Sequence, residues 1–521
     1  MVYENGVGKM DIIDERKVLD FYLDEIQKDS IIFLKNKQWY KDDISREIVN
    51  LREAEEMHNK IKICKNLWKL LFEAAMNFID PDRRGYDDLF SYFDEYVNFE
   101  ELIFASDSFY RDHTMHCLWV YFLGEYIIKK DDFKPFFSKY GKENQWFYNF
   151  YEMFKESEYA DIFHNFIELC EIFKSFEKYG DSMRCLEALT HDLGYPIKKI
   201  NSINKNIKNI LPHFGIRNYS EFDFNYSDIH DNLIKDFINY ISYSRRFYME
   251  SNDNYESILE KVFKIDESGS NAIGVNEDEI FNLTEDEKKT IKDNNIKKGL
   301  YFDYSRHMRY SKDFENYQHG IMSAFLLFRK LTVFNNRPFK YADYKTVDVN
   351  RDYFMNTDVL AGILMAIADH TSEGFQMNGI VDDSAFLTFI DELEEFSRIS
   401  RANQNRQYIN EFCKSNIYTK DGYFNIDFTF DNTQIDNLDP ERAFKGRCKR
   451  FLTLFNISEL DENFKLRLRC IGNLPYDKNV YMLEIRKRFV KITINDEEKN
   501  IPQYLKTKQF LTREAYELLN D

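Results

Sequence analysis

The segment RCLEALTHDLGYP, residues 184–196, joins an apolar helical run to an adjacent histidine and aspartate, His191 and Asp192. Neighbouring side chains on a helix point about 100° apart, so both residues can reach one metal ion from the same side. A single His-Asp pair is weak evidence for a metal site, because such pairs also occur at ordinary helix ends. The prediction of a metal centre therefore depends on partners elsewhere in the chain.

A second histidine lies in an equally apolar setting, in RDHTMHCLWVYFLGEYI at residues 111–127. His116 shares a helical stripe with Val120 and Leu123, which predicts that its imidazole faces the interior of a helical bundle. A buried neutral histidine needs a polar partner, and a metal ion would be one. His113 lies one turn earlier on nearly the same face and is an alternative ligand, although the spacing to Val120 favours His116.

Three more candidate ligands follow in apolar helical segments. They are His319 in YQHGIMSAFLLF, His370 at the end of VLAGILMAIADH, and Asp391 in AFLTFIDELEEFSR. A lone histidine on an apolar face is more often a hydrogen-bonded core residue, and an aspartate in an acidic stretch often caps a helix or bridges to a base. Five such segments in one order are hard to explain as coincidence, so the sequence predicts a buried metal centre.

The ordered pattern H…HD…H…H…D resembles that of the HD superfamily of metal-dependent phosphohydrolases, in particular its binuclear branches. The five matching segments lie between about residues 100 and 405 and are separated by long unmatched stretches. The resemblance implies a mainly α fold with an HD-type helical bundle. It also implies one metal on His116, His191, Asp192 and Asp391, and a second on His319 and His370 with Asp192 as the bridge.

Imidazole and carboxylate ligands suit divalent manganese, iron, zinc or nickel, and the pattern allows one ion or two. In the family that the chain resembles, such ions activate a water that attacks phosphorus, which makes His191 and Asp192 the catalytic candidates. The expected function is hydrolysis of a phosphate ester, a nucleotide or cyclic nucleotide. Two alternatives stay open: a di-iron oxygenase on the same ligand set, and a catalytically silent nucleotide-binding signalling module.

A phosphohydrolase also needs cations near the charge that develops on phosphate oxygens. Basic residues close to the ligand segments are Lys198, Lys199, Arg306, Arg309 and Arg398. Each is individually more typical of a solvated surface charge. Lys198, Arg306 and Arg309 are the phosphate-binding candidates.

Gly194, Tyr195 and Pro196 directly follow the His-Asp pair. We expect them to end the helix, with the glycine at its C-cap and the proline preventing its continuation. The same three letters name a cyclic-dinucleotide phosphodiesterase branch of the HD superfamily. There they lie much later in the domain, so this match carries no weight.

Helical spacing of apolar residues extends through most of the chain before its last hundred residues. It predicts a helical N-terminal region at residues 1–100 and a metal-binding helical domain at 101–413. The polar stretch at about 200–310 is typical of a large insertion in that domain. A capping box at residues 284–287 predicts that a helix begins inside the insertion.

Beyond about residue 414 the apolar period changes from helical to alternating. Phe424 and Ile426 alternate with Asn425 and Asp427, which predicts a strand with one buried and one solvated face. Further alternating segments, and a helix beginning at Asp439 and Pro440, predict a small α+β domain at 414–521. Basic residues on its strands and turns are Lys465, Arg467, Arg469, Arg486, Lys487 and Arg488. Their alternation favours the solvated side of a sheet over a nucleic-acid interface.

Composition narrows the range of partners. The formal net charge of -19 argues against a protein that wraps duplex nucleic acid, because phosphate neutralisation needs a basic face. A local basic pocket for a small phosphate-containing substrate is still allowed, and so is a homo-oligomer. The 7 cysteines form no CxxC pair, and no apolar run approaches the roughly 18 residues of a membrane span. The expected location is the cytoplasm, without a membrane partner.

Overall fold

The structure is a computed structural model of the chain. It describes residues 12–500 except 82–85, 105–108, 141–150, 152–153, 158, 165–166, 168–170, 172–176, 217, 223–225, 227, 250–257, 259–260, 266–271, 294–295, 336–350, 397, 401–406, 409–412 and 434–437. Across these residues the chain is mainly helical, with a six-stranded sheet near the C-terminus. The expected mainly α class is confirmed at this level.

The helices are numbered in chain order. They are α1 Glu15–Gln27, α2 Gln38–Glu53, α3 Met57–Ile79, α4 Tyr86–Phe104, α5 His113–Lys129, α6 Gly180–Thr190, α7 Tyr195–Ile210, α8 Asp228–Ser242, α9 Glu277–Phe281, α10 Glu285–Asp293, α11 Tyr304–Glu315, α12 His319–Lys330, α13 Thr332–Asn335, α14 Arg351–Asp369, α15 Asp383–Leu393 and α16 Pro440–Leu454. Short 3₁₀ turns lie at Ile32–Leu34, Lys134–Phe137 and Leu211–Phe214.

The strands form one larger sheet and several small ones. They are β1 Phe109–Arg111, β2 Tyr243–Met249, β3 Phe263–Ile265, β4 Ala272–Val275, β5 Ile296–Phe302, β6 Arg398–Ser400, β7 Gln407–Tyr408, β8 Lys414–Lys420, β9 Tyr423–Phe430, β10 Leu466–Gly472, β11 Val480–Arg486, β12 Phe489–Ile494 and β13 Glu497–Lys499. The C-terminal sheet has the order β13-β12-β11-β10-β9-β8, and only β9 and β10 pair in parallel, through the crossover helix α16.

Helix α5 lies at the centre of the helical part of the molecule. Every residue from His113 to Ile127 is buried, as expected of a helix that is apolar on all sides. The Asp112 side chain accepts a hydrogen bond from the Met115 N–H at 3.0 Å, which caps the helix and sets where it begins. This start places His116 in the first turn.

Two N-terminal helices, α3 and α4, donate hydrogen bonds to the backbone around the His-Asp pair. Trp68 on α3 stacks on Phe93 of α4 with ring centroids 3.9 Å apart. Its indole N–H donates to the Leu189 carbonyl at 2.6 Å, and the Tyr92 hydroxyl donates to the Leu193 carbonyl at 2.5 Å. The carbonyls at a helix end lack partners within the helix, so these two bonds fix the backbone on both sides of the His-Asp pair.

The C-terminal sheet packs on the helix that carries the candidate ligand Asp391. Phe389 on α15 contacts Phe424, Phe455 and Phe464, with ring centroids 5.2, 6.3 and 5.7 Å apart. Edge-to-face aromatic contacts of this kind stabilise a packed interface beyond the area they bury. The sheet therefore packs directly against the helix that carries Asp391.

Two local predictions from the sequence are confirmed. The Thr284 N–H donates to the Glu287 carboxylate at 2.9 Å and the Glu287 N–H to the Thr284 hydroxyl at 3.2 Å, which is a complete capping box. Helix α16 begins at Pro440, with the Asp439 carboxylate accepting from the Arg442 N–H at 2.9 Å. Both helix starts follow from side chains within one turn.

The expected solvated face of strand β9 is wrong. Asn425 is 2% exposed and Asp427 is 6% exposed, because β9 lies between β8 and β10 and side chains of these strands, Tyr418 and Arg469, cover this face. Asp427 accepts from Arg469 at 2.7 Å and from the Tyr418 hydroxyl at 3.1 Å. A carboxylate paired in this way can be buried at low cost.

The basic residues of the C-terminal sheet are also engaged. Arg467 and Arg486 each lie beside Glu484, at 3.3 and 3.1 Å, and Lys487 lies 3.0 Å from Glu462. The Arg467–Glu484 pair connects β10 and β11, and cross-strand pairs of opposite charge stabilise a sheet. Arg467 and Arg469 lie opposite Asn425 and Asp427 on the same, mostly buried face, so the solvated-face interpretation is not confirmed for these two residues.

The expected helix end at Gly194 is wrong. Helix α6 already ends at Thr190, and Gly194 precedes the first residue of α7 with Pro196 in the first turn. Its φ of -82° requires no glycine. Proline here starts a helix instead of stopping one, as its missing N–H allows at a first turn.

Within the described residues, no helix is both long enough and apolar enough to cross a membrane. Most buried apolar residues of the helices and those of the C-terminal sheet belong to one continuous cluster, while Ile280 and Ile291 on α9 and α10 belong to a second, smaller one. The proposed division at residues 100, 413 and about 200–310 stays a prediction.

Candidate metal centre

The predicted ligands all lie at or near helix ends. His116 is in the first turn of α5, His191 and Asp192 directly follow α6, His319 begins α12, His370 directly follows α14, and Asp391 is in the last turn of α15. The sequence places each of them beside an apolar helical run. The fold brings the six side chains together in one cluster, in which all but the partly exposed His319 are buried.

His116, His191 and Asp192 form one group, called the first triad below. The Nε2 atoms of His116 and His191 lie 3.3 Å apart, and they lie 3.7 and 3.4 Å from Oδ2 of Asp192. Asp391 borders this group, with its Oδ1 2.9 Å from Nε2 of His116 and 4.0 Å from Nε2 of His191. The ligand atoms of the first triad all lie within 4.8 Å of one another.

The protonation of these rings leaves lone pairs facing each other. The Nδ1 atom of His191 lies 2.8 Å from the Ala188 carbonyl. A carbonyl only accepts, so Nδ1 carries the proton and Nε2 does not. His116 has Glu394 2.5 Å from Nδ1 and Asp391 on Nε2, and a neutral ring can donate to only one of them. A metal ion between the ligand atoms would resolve both conflicts, as would a second proton on His116, which gives the ring two donors.

Asp192, His319 and His370 form the second triad. Oδ1 of Asp192 lies 3.1 Å from Nε2 of His319 and 3.8 Å from Nε2 of His370. Nδ1 of His370 lies 2.6 Å from the Ile367 carbonyl and donates to it, and the buried Nε2 has no hydrogen-bond partner among the described residues. An unprotonated buried nitrogen that faces a carboxylate is suited to binding a cation.

Asp192 connects the two triads. Its Oδ2 faces the first and its Oδ1 the second. Burial alone would raise the pKa of Asp192, but the imidazoles around it outweigh burial and hold that pKa well below its usual range. Burial also lowers the pKa of His191 to about 3 and that of His319 to about 4. At neutral pH His191 and His319 are therefore neutral and Asp192 is charged, the forms that bind metals.

Two glycines permit the close approach of the ligand segments. A Cβ on Gly194 would lie 2.4 Å from the His319 carbonyl oxygen, and a Cβ on Gly320 would lie 2.5 Å from the Ile367 carbonyl oxygen. Such distances are well inside van der Waals contact, so only glycine fits without a shift of backbone. The chain around Gly194 thus packs directly on the start of α12, where His319 lies.

His113, the alternative to His116, lies outside both triads. Its Nδ1 is 2.6 Å from the Glu100 carboxylate, and its ring packs on Tyr195 with centroids 3.8 Å apart. Tyr195 in turn lies against His319, at 5.6 Å between ring centroids. His113 therefore contacts the wall of the site, while His116 is the histidine whose ring enters the cluster.

Glu394 is the partner that sequence reasoning missed. Its carboxylate is fully buried and lies on Nδ1 of His116. A carboxylate on the far nitrogen of a metal-binding histidine fixes the orientation of the ring and raises its basicity. The available signal was its spacing, because Glu394 lies three residues after Asp391 on the same helical face.

A second network holds the segment before His370. Asp369 accepts from Arg309 at 2.6 Å, from the Tyr310 hydroxyl at 3.0 Å and from the Ser384 hydroxyl at 2.9 Å. These bonds connect α11, α14 and α15. Arg309, a phosphate candidate from the sequence, is thus paired with a carboxylate next to a ligand.

The other basic candidates lie in different surroundings. Lys198 donates to the Gln318 side chain at 2.9 Å, directly before His319, and Lys199 lies 4.8 Å from the centre of the Tyr195 ring. Arg306 lies 3.9 Å from Asp303. The side chain of Arg398 is outside the described residues. Lys198 is the candidate that the structure places nearest the rim of the cluster.

Comparisons of the chain with protein-family models, with curated proteins and with solved structures find no match. The geometry itself shows a buried group of histidines and aspartates that could hold a metal ion.

Proposed function

We propose that this protein is a metal-dependent phosphohydrolase of the HD type that acts on a small phosphate ester, a nucleotide or cyclic nucleotide. The observation that supports it is the pair of triads that share Asp192. A carboxylate that presents one oxygen to each of two ligand groups is the arrangement that a binuclear hydrolytic centre needs. The all-nitrogen and oxygen ligand set suits divalent transition ions.

The division of labour among the residues follows from their positions. His116, His191 and Asp391 would hold one ion, His319 and His370 the other, and Asp192 both. When bound, such ions lower the pKa of water and stabilise negative charge on phosphate oxygens. The bonds from ring Nδ1 atoms to the Ala188 and Ile367 carbonyls keep the ligand rings oriented before any substrate arrives.

The direction of substrate entry follows from exposure. The side chains of His116, His191 and His370 are fully buried, whereas that of His319 is 16% exposed. A substrate would therefore enter on the His319 side. Lys198 and Gln318 lie at this side, so the ammonium group is placed to attract an anionic substrate.

The test is hydrolysis by the purified full chain, loaded in turn with manganese, iron, zinc and nickel. Substrates would be a nitrophenyl phosphodiester, a nitrophenyl phosphomonoester and a set of nucleotides and cyclic nucleotides. We expect hydrolysis that a chelator abolishes and that Asp192→Ala lacks. Activity retained by Asp192→Ala would place the chemistry elsewhere and overturn the proposal, as would metal-loaded protein that hydrolyses none of these esters.

The same ligand set also suits two iron ions, since a bridging carboxylate with imidazoles is a ligand set that iron accepts. The di-iron oxygenase is therefore the second candidate. Protein that retains only iron, changes its absorption on reduction and consumes oxygen with a small diol would favour it. Hydrolysis supported equally by zinc, which has no redox chemistry, would exclude it.

A further inference from the structure

Large apolar side chains are exposed where helix α7 ends. Ile210 is the last residue of α7 and Phe214 ends the 3₁₀ turn that follows, and Ile216 and Phe222 lie a few residues further along. These four side chains, called the α7 tip below, are 55%, 76%, 40% and 66% exposed. Single exposed apolar residues need no explanation, but a group of them is typical of an interaction site.

Backbone hydrogen bonds fix the turn that carries Phe214. The Ile216 N–H donates to the Leu211 carbonyl at 3.2 Å, and the Gly215 N–H donates to the Pro212 carbonyl at 3.0 Å. Gly215 has a φ of 74°, which is the left-handed conformation that closes a helix in this pattern. Phe214 is thus exposed on a hydrogen-bonded turn.

Phe222 is tied to the same helix by a side chain. The Asn204 amide donates to the Phe222 carbonyl and accepts from the Phe222 N–H, each at 2.9 Å. Asn204 lies in α7, six residues before Ile210, which is about 9 Å along a helix. The bonds satisfy the backbone of Phe222 while its side chain stays in solvent. The fold therefore holds Phe222 beside the end of α7.

The charge of this segment is opposite to that of the whole chain. Asp and Glu make up 90 of the 521 residues, but residues 193–220 contain none of them and carry four lysines and one arginine. Lys205 and Lys208, in the last two turns of α7, are exposed. Lys208 lies 3.6 Å from Glu221, and such a pair between exposed side chains contributes little net energy. The end of α7 thus presents lysines beside apolar side chains.

We propose that the α7 tip binds an anionic lipid surface, with its apolar side chains among the acyl chains and the lysines at the headgroups. Segments that combine exposed Phe and Ile with lysines lie in the membrane interface without crossing it. An anionic leaflet attracts each nearby lysine, although the net charge of -19 repels the rest of the molecule. The expectation of no membrane partner depended on the lack of an apolar span, which this mode of binding does not need.

Two other partners fit the α7 tip less well. A nucleic acid is held mainly by cations on its phosphates and by aromatic stacking, and Ile210 and Ile216 offer neither. A symmetric dimer through the tip would bring the lysines of two copies together, and like charges repel. A lipid surface accommodates both the lysines and the apolar side chains.

This inference does not depend on the proposed hydrolysis. The α7 tip contains none of the proposed metal ligands. Helix α7 has 16 residues between the His-Asp pair and the tip, which is about 24 Å along a helix. Variants at the tip should therefore leave the metal content and the hydrolysis of a soluble ester unchanged, so the two proposals fail separately.

The test is sedimentation of the full chain with vesicles of phosphatidylcholine alone and of phosphatidylcholine mixed with phosphatidylserine. We expect the wild type to bind the mixed vesicles more strongly than the neutral ones, and salt to weaken this binding. Phe214→Ser should lower the partition coefficient by about 10-fold, because it removes one inserted ring. Lys205→Gln should lower it by about 5-fold on the mixed vesicles.

Phe281→Ser is the matched control. Phe281 is 77% exposed, as much as Phe214, but it ends α9, whose sequence EDEIF is acidic. We expect this variant to bind the mixed vesicles like the wild type. Equal losses in Phe281→Ser and Phe214→Ser would contradict a specific role of the α7 tip.

Wild-type protein that stays in solution with the mixed vesicles at low salt would overturn the proposal, as would full binding by Phe214→Ser. Capture of an oligonucleotide that Phe214→Ser abolishes, without vesicle binding, would assign the tip to a nucleic acid instead. Self-association that the same variant abolishes, again without vesicle binding, would assign it to a second copy of the chain. Either result would refute the lipid surface.

Discussion

The two triads of the proposed metal centre differ in how they are enclosed. In the first, both rings are fully buried, and each has a partner on Nδ1: Glu394 for His116 and a backbone carbonyl for His191. In the second, His370 is held in the same way. His319 is partly exposed, and its buried Nδ1 has no hydrogen-bond partner among the described residues.

This difference in enclosure indicates that the two triads bind their metal ions with different strength. Ligands that are fixed before the ion arrives lose little conformational freedom on binding, so they bind tightly. His319 is partly exposed and has no hydrogen bond on Nδ1 among the described residues, so fixing its ring on metal binding costs more conformational entropy. Its exposure leaves room for a substrate. We therefore expect the first triad to retain its ion firmly and the second to exchange its ion at the entrance to the site.

The largest effect should come from removing the residue that both triads share. Asp192→Ala takes one carboxylate oxygen from each triad, so we expect the metal content to fall to background on both sides. Metal analysis by mass spectrometry after dialysis measures this. Asp286→Ala, at an exposed position on α10, is the control and should keep the wild-type content. Full retention of even one ion by Asp192→Ala would contradict the bridging role.

Variants that each remove one histidine ring, from the first or from the second triad, should show whether the triads bind their ions independently. His319→Ala is expected to lose one ion and keep the other, because the first triad stays complete. His116→Ala removes a fully buried ligand of the tight site, and we expect it to lose the firmly held ion. Stoichiometry after challenge with a chelator distinguishes the two variants. Identical losses would mean that the triads do not act as separate sites.

A smaller effect is expected from Glu394→Gln. The amide can still accept from Nδ1 of His116, but without a negative charge, so we expect the affinity of the first triad to fall by about 10-fold to 100-fold. Competition with a chelator of known affinity measures it. Glu392→Gln removes a carboxylate from the same helix end that faces Arg450 instead, and it should leave the affinity unchanged.

The smallest expected difference between the two triads is in the pH at which their histidines become protonated in the metal-free protein. The pKa of His319 is lowered to about 4 and that of His191 to about 3, both from an ordinary value of 6.5. Unfolded chains take up these protons first, so the stability is complete above about pH 6.5 and is lost as the pH falls toward these values. Imidazole NMR signals should show His319 protonating about one pH unit before His191. The reverse order would contradict the difference in enclosure.

The residues of the buried cluster could be predicted from the sequence because each signal is local. His116, His191 and His370 each lie in or beside an apolar helical run, and that position alone requires a polar partner in the interior. The family resemblance added their order and the likeness to a binuclear centre. Neither source could supply distances, which depend on how distant helices pack.

The sequence predictions that were wrong or incomplete concern residues whose roles depend on contacts with distant parts of the chain. Gly194 looked like a helix stop because glycine and proline often end helices, whereas its need for glycine comes from the carbonyl of His319. Asp427 looked solvated because it alternates with apolar residues, whereas Arg469 from the neighbouring strand pairs with it in the interior. Glu394 acquires its role only when α15 packs on α5. No local pattern contains these partners.

The hydrogen bonds from Trp68 and Tyr92 to the backbone on either side of the His-Asp pair bear on whether the centre is transferable. A chain cut at residue 100 would keep every proposed ligand and still lose both donors, leaving the Leu189 and Leu193 carbonyls without them. If the helices with the proposed ligands were grafted onto another scaffold, the Leu189 and Leu193 carbonyls would also lack these two hydrogen-bond donors. The proposed metal centre thus depends on the N-terminal helices. We expect related chains either to have both these helices and the metal centre or to lack both.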